Sequence, residues 1–99
     1  MLNINKSIEN GEAVFTLEGR LDTTTSPELE KELKASLDGV TELTLDFEKL
    51  DYISSAGLRV LLGAQKQMNK QGSMKIVHVG EIIMEVFEVT GFADILTIE

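Results

Sequence analysis

Cysteine is absent from the 99 residues, so neither a disulfide framework nor thiolate chemistry is available, and the chain fits a reducing compartment such as the cytoplasm. Histidine occurs once, as His78. A lone imidazole in an apolar run reads as structural, because metal and catalytic sites draw on several such groups. There is no Walker-type run, no pair of His ligands and no dinucleotide loop, so the expectation is no cofactor and no metal. A hydrolase serine elbow wants glycine two residues before the nucleophile, where Ile53 stands before Ser55, and His78 is the only imidazole base; the expectation is no acyl transfer. No stretch approaches the roughly 20 apolar residues of a membrane span. Met1–Glu9 lacks the basic-then-apolar layout of a signal peptide, so the expectation is a protein that stays where it is made. Basic residues are few, nine against seventeen acidic, for a net charge of −8. That balance opposes nucleic acid and anionic membranes and favours a partner with a basic face.

What is present is a core-forming composition, 42% hydrophobic and 26% charged, at a length suited to one domain over residues 1–99. The chain is organised around Asp51–Leu62, where Ser54 and Ser55, then Ala56 and Gly57, join a strand-like run to a helix-like one. A helix start has backbone N–H groups without intrahelical partners and the positive end of the dipole, so a serine oxygen, or an anion attached to it, is stabilised there. Spacing alone favours an ordinary N-cap, since most capping serines carry no phosphate.

In chain order, Leu2, Ile4 and Ile8 alternate with Asn3, Asn5 and Ser7, and Ala13, Phe15 and Leu17 with Val14, Thr16 and Glu18. Both runs have strand period, and Asn10-Gly11 between them predicts a type I′ hairpin. Gly19-Arg20-Leu21-Asp22 is expected to leave the sheet, with Thr23 to Ser26 offering caps before Pro27 opens a helix. Leu29, Leu33 and Leu37 give that helix its core stripe, and Gly39 its stop. Leu43, Leu45 and Phe47 predict a third strand. A second helix is expected from about Gly57, with Leu58, Leu61, Leu62 and Met68 inward, Gln65 among the solvent-facing residues, and Gly72 at its end. Met74–Val79 reads as a buried strand parallel to the third. Glu81–Val89 predicts an amphipathic helix with Ile82, Ile83, Val86 and Phe87 on one side and Glu81, Glu85 and Glu88 on a solvated face. Ile95, Leu96 and Ile98 are candidates for a short last strand.

Gly19-Arg20-Leu21-Asp22, the strand Leu43–Phe47, Ser54-Ser55-Ala56-Gly57-Leu58, Gly72 and Thr90-Gly91-Phe92, taken in that order and spacing, resemble a STAS domain, specifically a bacterial anti-sigma factor antagonist. The resemblance covers nearly the whole chain. It implies an α/β fold with a mixed four- to five-stranded sheet, opened by a β-hairpin, with helices packed on it. It also implies that Ser55, two positions before Gly57, is the phosphorylated residue. Ser54 stands where the family often has Asp, and is a second candidate acceptor. The implied partner-binding surface comprises Asp22, Thr23, Thr24, Ser54, Ser55, Ala56, Gly57 and Arg59. The implied partners are an anti-sigma factor serine kinase, bound by the unphosphorylated form to free a sigma factor, and a serine phosphatase that resets the switch. An alternative within the family is a STAS subunit of a lipid transporter or sensor complex that binds an ATPase without a phosphate cycle. Asp22 reads equally as a turn residue or as part of the surface around Ser55.

Overall fold

The structure is a computed structural model and describes residues 2–99. Four strands, β1 (Leu2–Glu9), β2 (Glu12–Leu21), β3 (Glu42–Ile53) and β4 (Ser73–Val77), alternate with three helices, α1 (Ser26–Ser36), α2 (Ser55–Gln71) and α3 (Glu81–Thr90); a 3-10 turn follows at Phe92–Asp94. They form one mixed sheet in the order β1-β2-β3-β4. The opening pair is antiparallel, with Glu9 opposite Glu12. Asn10 and Gly11 between them have φ of 53° and 81°, the two positive values a type I′ turn requires. The β2–β3 and β3–β4 pairs are parallel, so the three strands present their carboxyl ends along one edge.

Alternation decides which sheet face is covered. Ala13, Phe15 and Leu17 on β2, Leu43, Leu45 and Phe47 on β3, and Met74 and Ile76 on β4 are buried in one cluster with Leu29 and Leu33 of α1, Leu58, Leu61 and Met68 of α2, and Ile83 and Phe87 of α3. The rings of Phe47 and Phe87 lie 6.4 Å apart. On the opposite face Thr16, Thr44 and Asp46 are half-buried, and Glu12, Val14 and Glu42 are exposed. All three helices therefore pack on one side. Gly72 ends α2 against the next strand: a Cβ there would collide with the Thr41 carbonyl.

Several expectations need correction. Gly19-Arg20-Leu21 stays in β2 instead of leaving the sheet: Gly19 takes a φ of 110°, the extra residues of two bulges fall on β3, and pairing continues to Leu21 opposite Ile53. β3 extends six residues past Phe47 to Ile53. The second helix begins at Ser55, two residues before Gly57, since Ser54 caps it. Gln65 is buried, and its Nε2 donates to Asn69 Oδ1 at 2.9 Å. Leu62 is only half-buried, and Ile8 is exposed beyond the reach of α1. On α3, Ile83 and Phe87 face the core, and Ile82 is 69% exposed. β4 stops at Val77, and His78 has φ of 59°. His78 is exposed rather than in an apolar strand, with Nδ1 3.0 Å from Asp46 Oδ1 and 3.7 Å from Glu48 Oε1. The last strand shrinks to one parallel bridge between Ile98 and Ile76.

Candidate functional site at the carboxyl ends of the central strands

Leu21 and Ile53 are the last paired residues of β2 and β3, and the Ser54 N–H donates to the Leu21 carbonyl at 2.9 Å. The chain then turns directly into α2. Asp22 and Ser54 are thereby neighbours, each one step past the end of adjacent parallel strands, at the edge of an open α/β sheet where such folds place their sites. A short approach is needed for α2 to start there. A Cβ on Gly57 would lie 2.8 Å from Leu21 Cγ and 2.9 Å from Ile53 Cγ1. Glycine is required by space, and Gly57 is buried.

The two serines have different employment. Ser54 is the N-cap, its Oγ accepting from the Gly57 N–H at 3.4 Å, and its carbonyl accepts the Leu58 N–H at 3.0 Å. Ser55 is the first residue of the helix, exposed, and its hydroxyl makes no hydrogen bond among the described residues. Ala56 is half-buried, and Arg59, one turn along, is exposed and makes no ion pair among the described residues.

Asp22 resolves as a turn residue beside the serine pair. Its Oδ1 accepts from the N–H groups of Thr24 and Thr25, both at 3.0 Å, while Thr25 Oγ1 accepts from the Asp22 N–H and donates to the Arg20 carbonyl. The Thr25 N–H, followed by the Thr25 hydroxyl and the Thr24 N–H, holds the Asp22 carboxyl below the ordinary carboxylate value despite some desolvation. Thr23 and Thr24 are exposed on this turn. Among the described residues no hydrogen bond joins the side chains of Asp22 and Ser54; the strand ends bring the two segments side by side.

Two residues of this surface were not legible as site residues. The Arg20 guanidinium sits 4.3 Å over the Tyr52 ring, and Arg20 Nε is 3.8 Å from Asp22 Oδ2. They occupy partnered positions on β2 and β3, just before Asp22 and Ser54. Arg and Tyr are both residue types enriched at interface hot spots, and here a cation–π contact holds them together. The signal available in sequence was their matched position before each site segment. Charge is also uneven: α2 carries Arg59, Lys66 and Lys70 and no acidic residue, whereas α3 carries Glu81, Glu85 and Glu88 and no basic one. The net charge of −8 does not describe the helix that bears Ser55.

A four-stranded mixed sheet covered on one face, with a serine-capped helix at its carboxyl edge, is the architecture to be placed among known families. The family model for the STAS domain matches residues 3–99, and the chain belongs to that family, among its anti-sigma factor antagonists. It is 38% identical to BtrV of Bordetella bronchiseptica, assigned by its name to the anti-sigma factor antagonists, across 90% of this chain and 78% of that one. The crystal structure of an anti-sigma factor antagonist from Mycobacterium paratuberculosis superposes with a TM-score of 0.89 at 21% identity, covering 99% and 85% of the two chains. SpoIIAA of Bacillus, solved in unphosphorylated and phosphorylated forms, superposes with TM-scores of 0.76 and 0.77. Each form is 18% identical, with coverage of 100% and 87% for the first and 98% and 91% for the second. These structural likenesses establish the fold. No helix among the described residues is long and apolar enough to cross a membrane.

Proposed function

We propose that the protein is a phosphorylation-controlled partner switch in the cytoplasm. Unphosphorylated, it binds an anti-sigma factor that is itself a serine kinase and so releases a sigma factor; phosphate on Ser55 ends the binding, and a serine phosphatase restores it. The observation that carries this reading is the Ser55 hydroxyl, exposed and unbonded among the described residues on the first residue of α2 while its neighbour Ser54 does the capping. Membership of the antagonist family supports it, and so does the existence of SpoIIAA in two phosphorylation states. A phosphate adds about −1.5 to −2 charges, and burying it in an interface costs desolvation and repulsion unless the partner supplies a cation. The docking surface is formed by Asp22, Thr23, Thr24, Ser54, Ser55, Ala56 and Arg59, with Arg20 and Tyr52 at its margin; Gly57 is buried beneath it and acts by letting α2 start there.

The chain has no turnover of its own in this reading. Incubated with Mg-ATP alone it neither hydrolyses ATP nor labels itself; incorporation without a partner would overturn the proposal. With the cognate kinase and ATP, peptide-level mass spectrometry finds one phosphate, on Ser55. Wild-type labelling of Ser55→Ala would move the site to Ser54 or to Thr23–Thr25.

A further inference from the structure

α2 is the one helix with cations only, and they are not scattered. Arg59, Lys66 and Lys70 follow Ser55 at four, eleven and fifteen residues, which at 3.6 residues per turn places all four within one exposed stripe. The buried stripe, Gly57, Leu58, Leu61, Gln65 and Met68, lies on the other side. Arg59 is the first cation along this ridge and is in no ion pair among the described residues, although acidic residues outnumber basic ones nearly two to one. A helix with an acidic group at position i and a basic one at i+4 has the favourable order for a side-chain pair. Ser55 and Arg59 have that spacing, but the hydroxyl carries no charge until it is modified.

Building on the Ser55 switch proposed above, we propose that Arg59 is the phosphate's partner within the chain. Once Ser55 is phosphorylated, the Arg59 guanidinium turns back one helical turn and pairs with it through charge-assisted hydrogen bonds. Modification then does two things to the docking surface: it introduces a dianion and withdraws the first cation of the α2 ridge. Arg59 in the unmodified chain is free to meet a carboxylate of the partner, and in the modified chain it is occupied. The device is a change of partner by one arginine, with the basic ridge behind it keeping the phosphate on α2.

The test needs neither kinase nor anti-sigma factor, so its outcome is independent of whether the switch reading holds. The full chain is prepared with phosphoserine installed at position 55, as wild type and as Arg59→Gln, Arg59→Lys and Glu85→Gln, the last on α3 as a control. Phosphorus NMR follows the second ionisation of the phosphate with pH, and the Arg59 Nε–H resonance is followed in parallel. Pairing with Arg59 stabilises the dianion, so Arg59→Gln raises that pKa by about 0.2 to 0.4 units, the equivalent of one i,i+4 ion pair. Arg59→Lys restores part of the shift and Glu85→Gln does not reproduce it. The Arg59 Nε–H resonance moves on phosphorylation of the wild type. An unchanged phosphate pKa in Arg59→Gln, or an Arg59 resonance indifferent to the phosphate, overturns the proposal.

Discussion

The two helix starts at the carboxyl edge of the sheet are built from the same chemistry and put it to opposite use. Thr23, Thr24 and Thr25 precede α1 and Ser26 opens it, and Ser54 precedes α2 and Ser55 opens it. At α1 the two hydroxyls nearest the helix are consumed: Thr25 and Ser26 are buried, Thr25 bonded to Arg20 and Asp22 and Ser26 to the Asp22 carbonyl. At α2 one hydroxyl caps and the next is left free. Hydroxyl content alone therefore does not separate the two starts; what separates them is a hydroxyl the fold does not use, and the proposed modification falls on that one. One start is structural and the other is available to a second protein.

Substitutions that attack the packing under each start should be the most costly. Gly57→Ala places a methyl against Leu21 and Ile53 where both contacts are under 3 Å, and overpacking of that kind costs about 1 to 3 kcal/mol. Urea unfolding measures it, and undiminished stability would mean that α2 does not start as tightly as described. Thr25→Ala strips the buried hydroxyl that serves Asp22 and Arg20; the loss falls toward the low end of the ~1–3 kcal/mol range for an orphaned polar group. Labelling of Ser55 by a cognate kinase should weaken in that variant without being lost, because the Asp22 turn loosens while Ser55 itself is carried by α2. Ser54→Ala removes a cap whose bond is already long at 3.4 Å, so about 0.5 kcal/mol is expected, the bottom of the N-cap range. If Ser54→Ala cost more than Thr25→Ala, the division between structural and available hydroxyls would be misdrawn.

A smaller effect lies away from both starts. Asp46 pairs with His78 and, by its hydrogen bond first and its charge second, raises the imidazole pKa above the ordinary 6.5, with exposed Glu48 adding to it. On Asp46 itself partial burial pushes the carboxyl up, but the Glu48 N–H and His78 outweigh it and leave it below 3.8. A group whose pKa is raised on folding stabilises fully below its unfolded value and loses that contribution as pH rises through the folded one. The stability difference between wild type and His78→Gln should thus be complete in mildly acidic buffer, vanish as pH climbs past the elevated pKa, and also fade when acid protonates Asp46. A difference that grows toward alkaline pH would contradict the pairing.

Much of this was legible in sequence because the local signals agree. Asn10-Gly11 between alternating runs admits one turn, and Leu29, Leu33 and Leu37 define one helix face. What was hidden has a physical reason. β3 advances three residues from Asp46 to Lys49 while β2 advances two from Thr16 to Glu18, and again two against one from Leu50 to Tyr52. These bulges break the alternation, so Phe47, Leu50 and Ile53 are buried at a spacing of three, and the strand reads as ending early. The same irregularity concealed that Arg20 and Tyr52 meet. Gln65 lies on the inward stripe of α2, and its polarity misdirected the reading. Ser55 is proposed from the motif, whereas the absence of a hydrogen bond to its hydroxyl among the described residues required coordinates.

The central claim is that modification of Ser55 acts on the docking surface and leaves the fold intact. Melting temperature and affinity for the cognate anti-sigma kinase, measured together for wild type, Ser55→Ala and Ser55→Asp, test it most directly. An anion on the first residue of an exposed helix is stabilised by about 0.3 to 1 kcal/mol, so Ser55→Asp should melt at or slightly above the wild-type temperature, and Ser55→Ala close to it. Placing a charge in the contact should cost binding about 2 to 5 kcal/mol, roughly 30-fold or more in affinity, while Ser55→Ala stays within a few fold of wild type. If Ser55→Asp binds as tightly as wild type, or binds weakly only because it has unfolded, this surface is no electrostatic switch and the protein works as a static subunit.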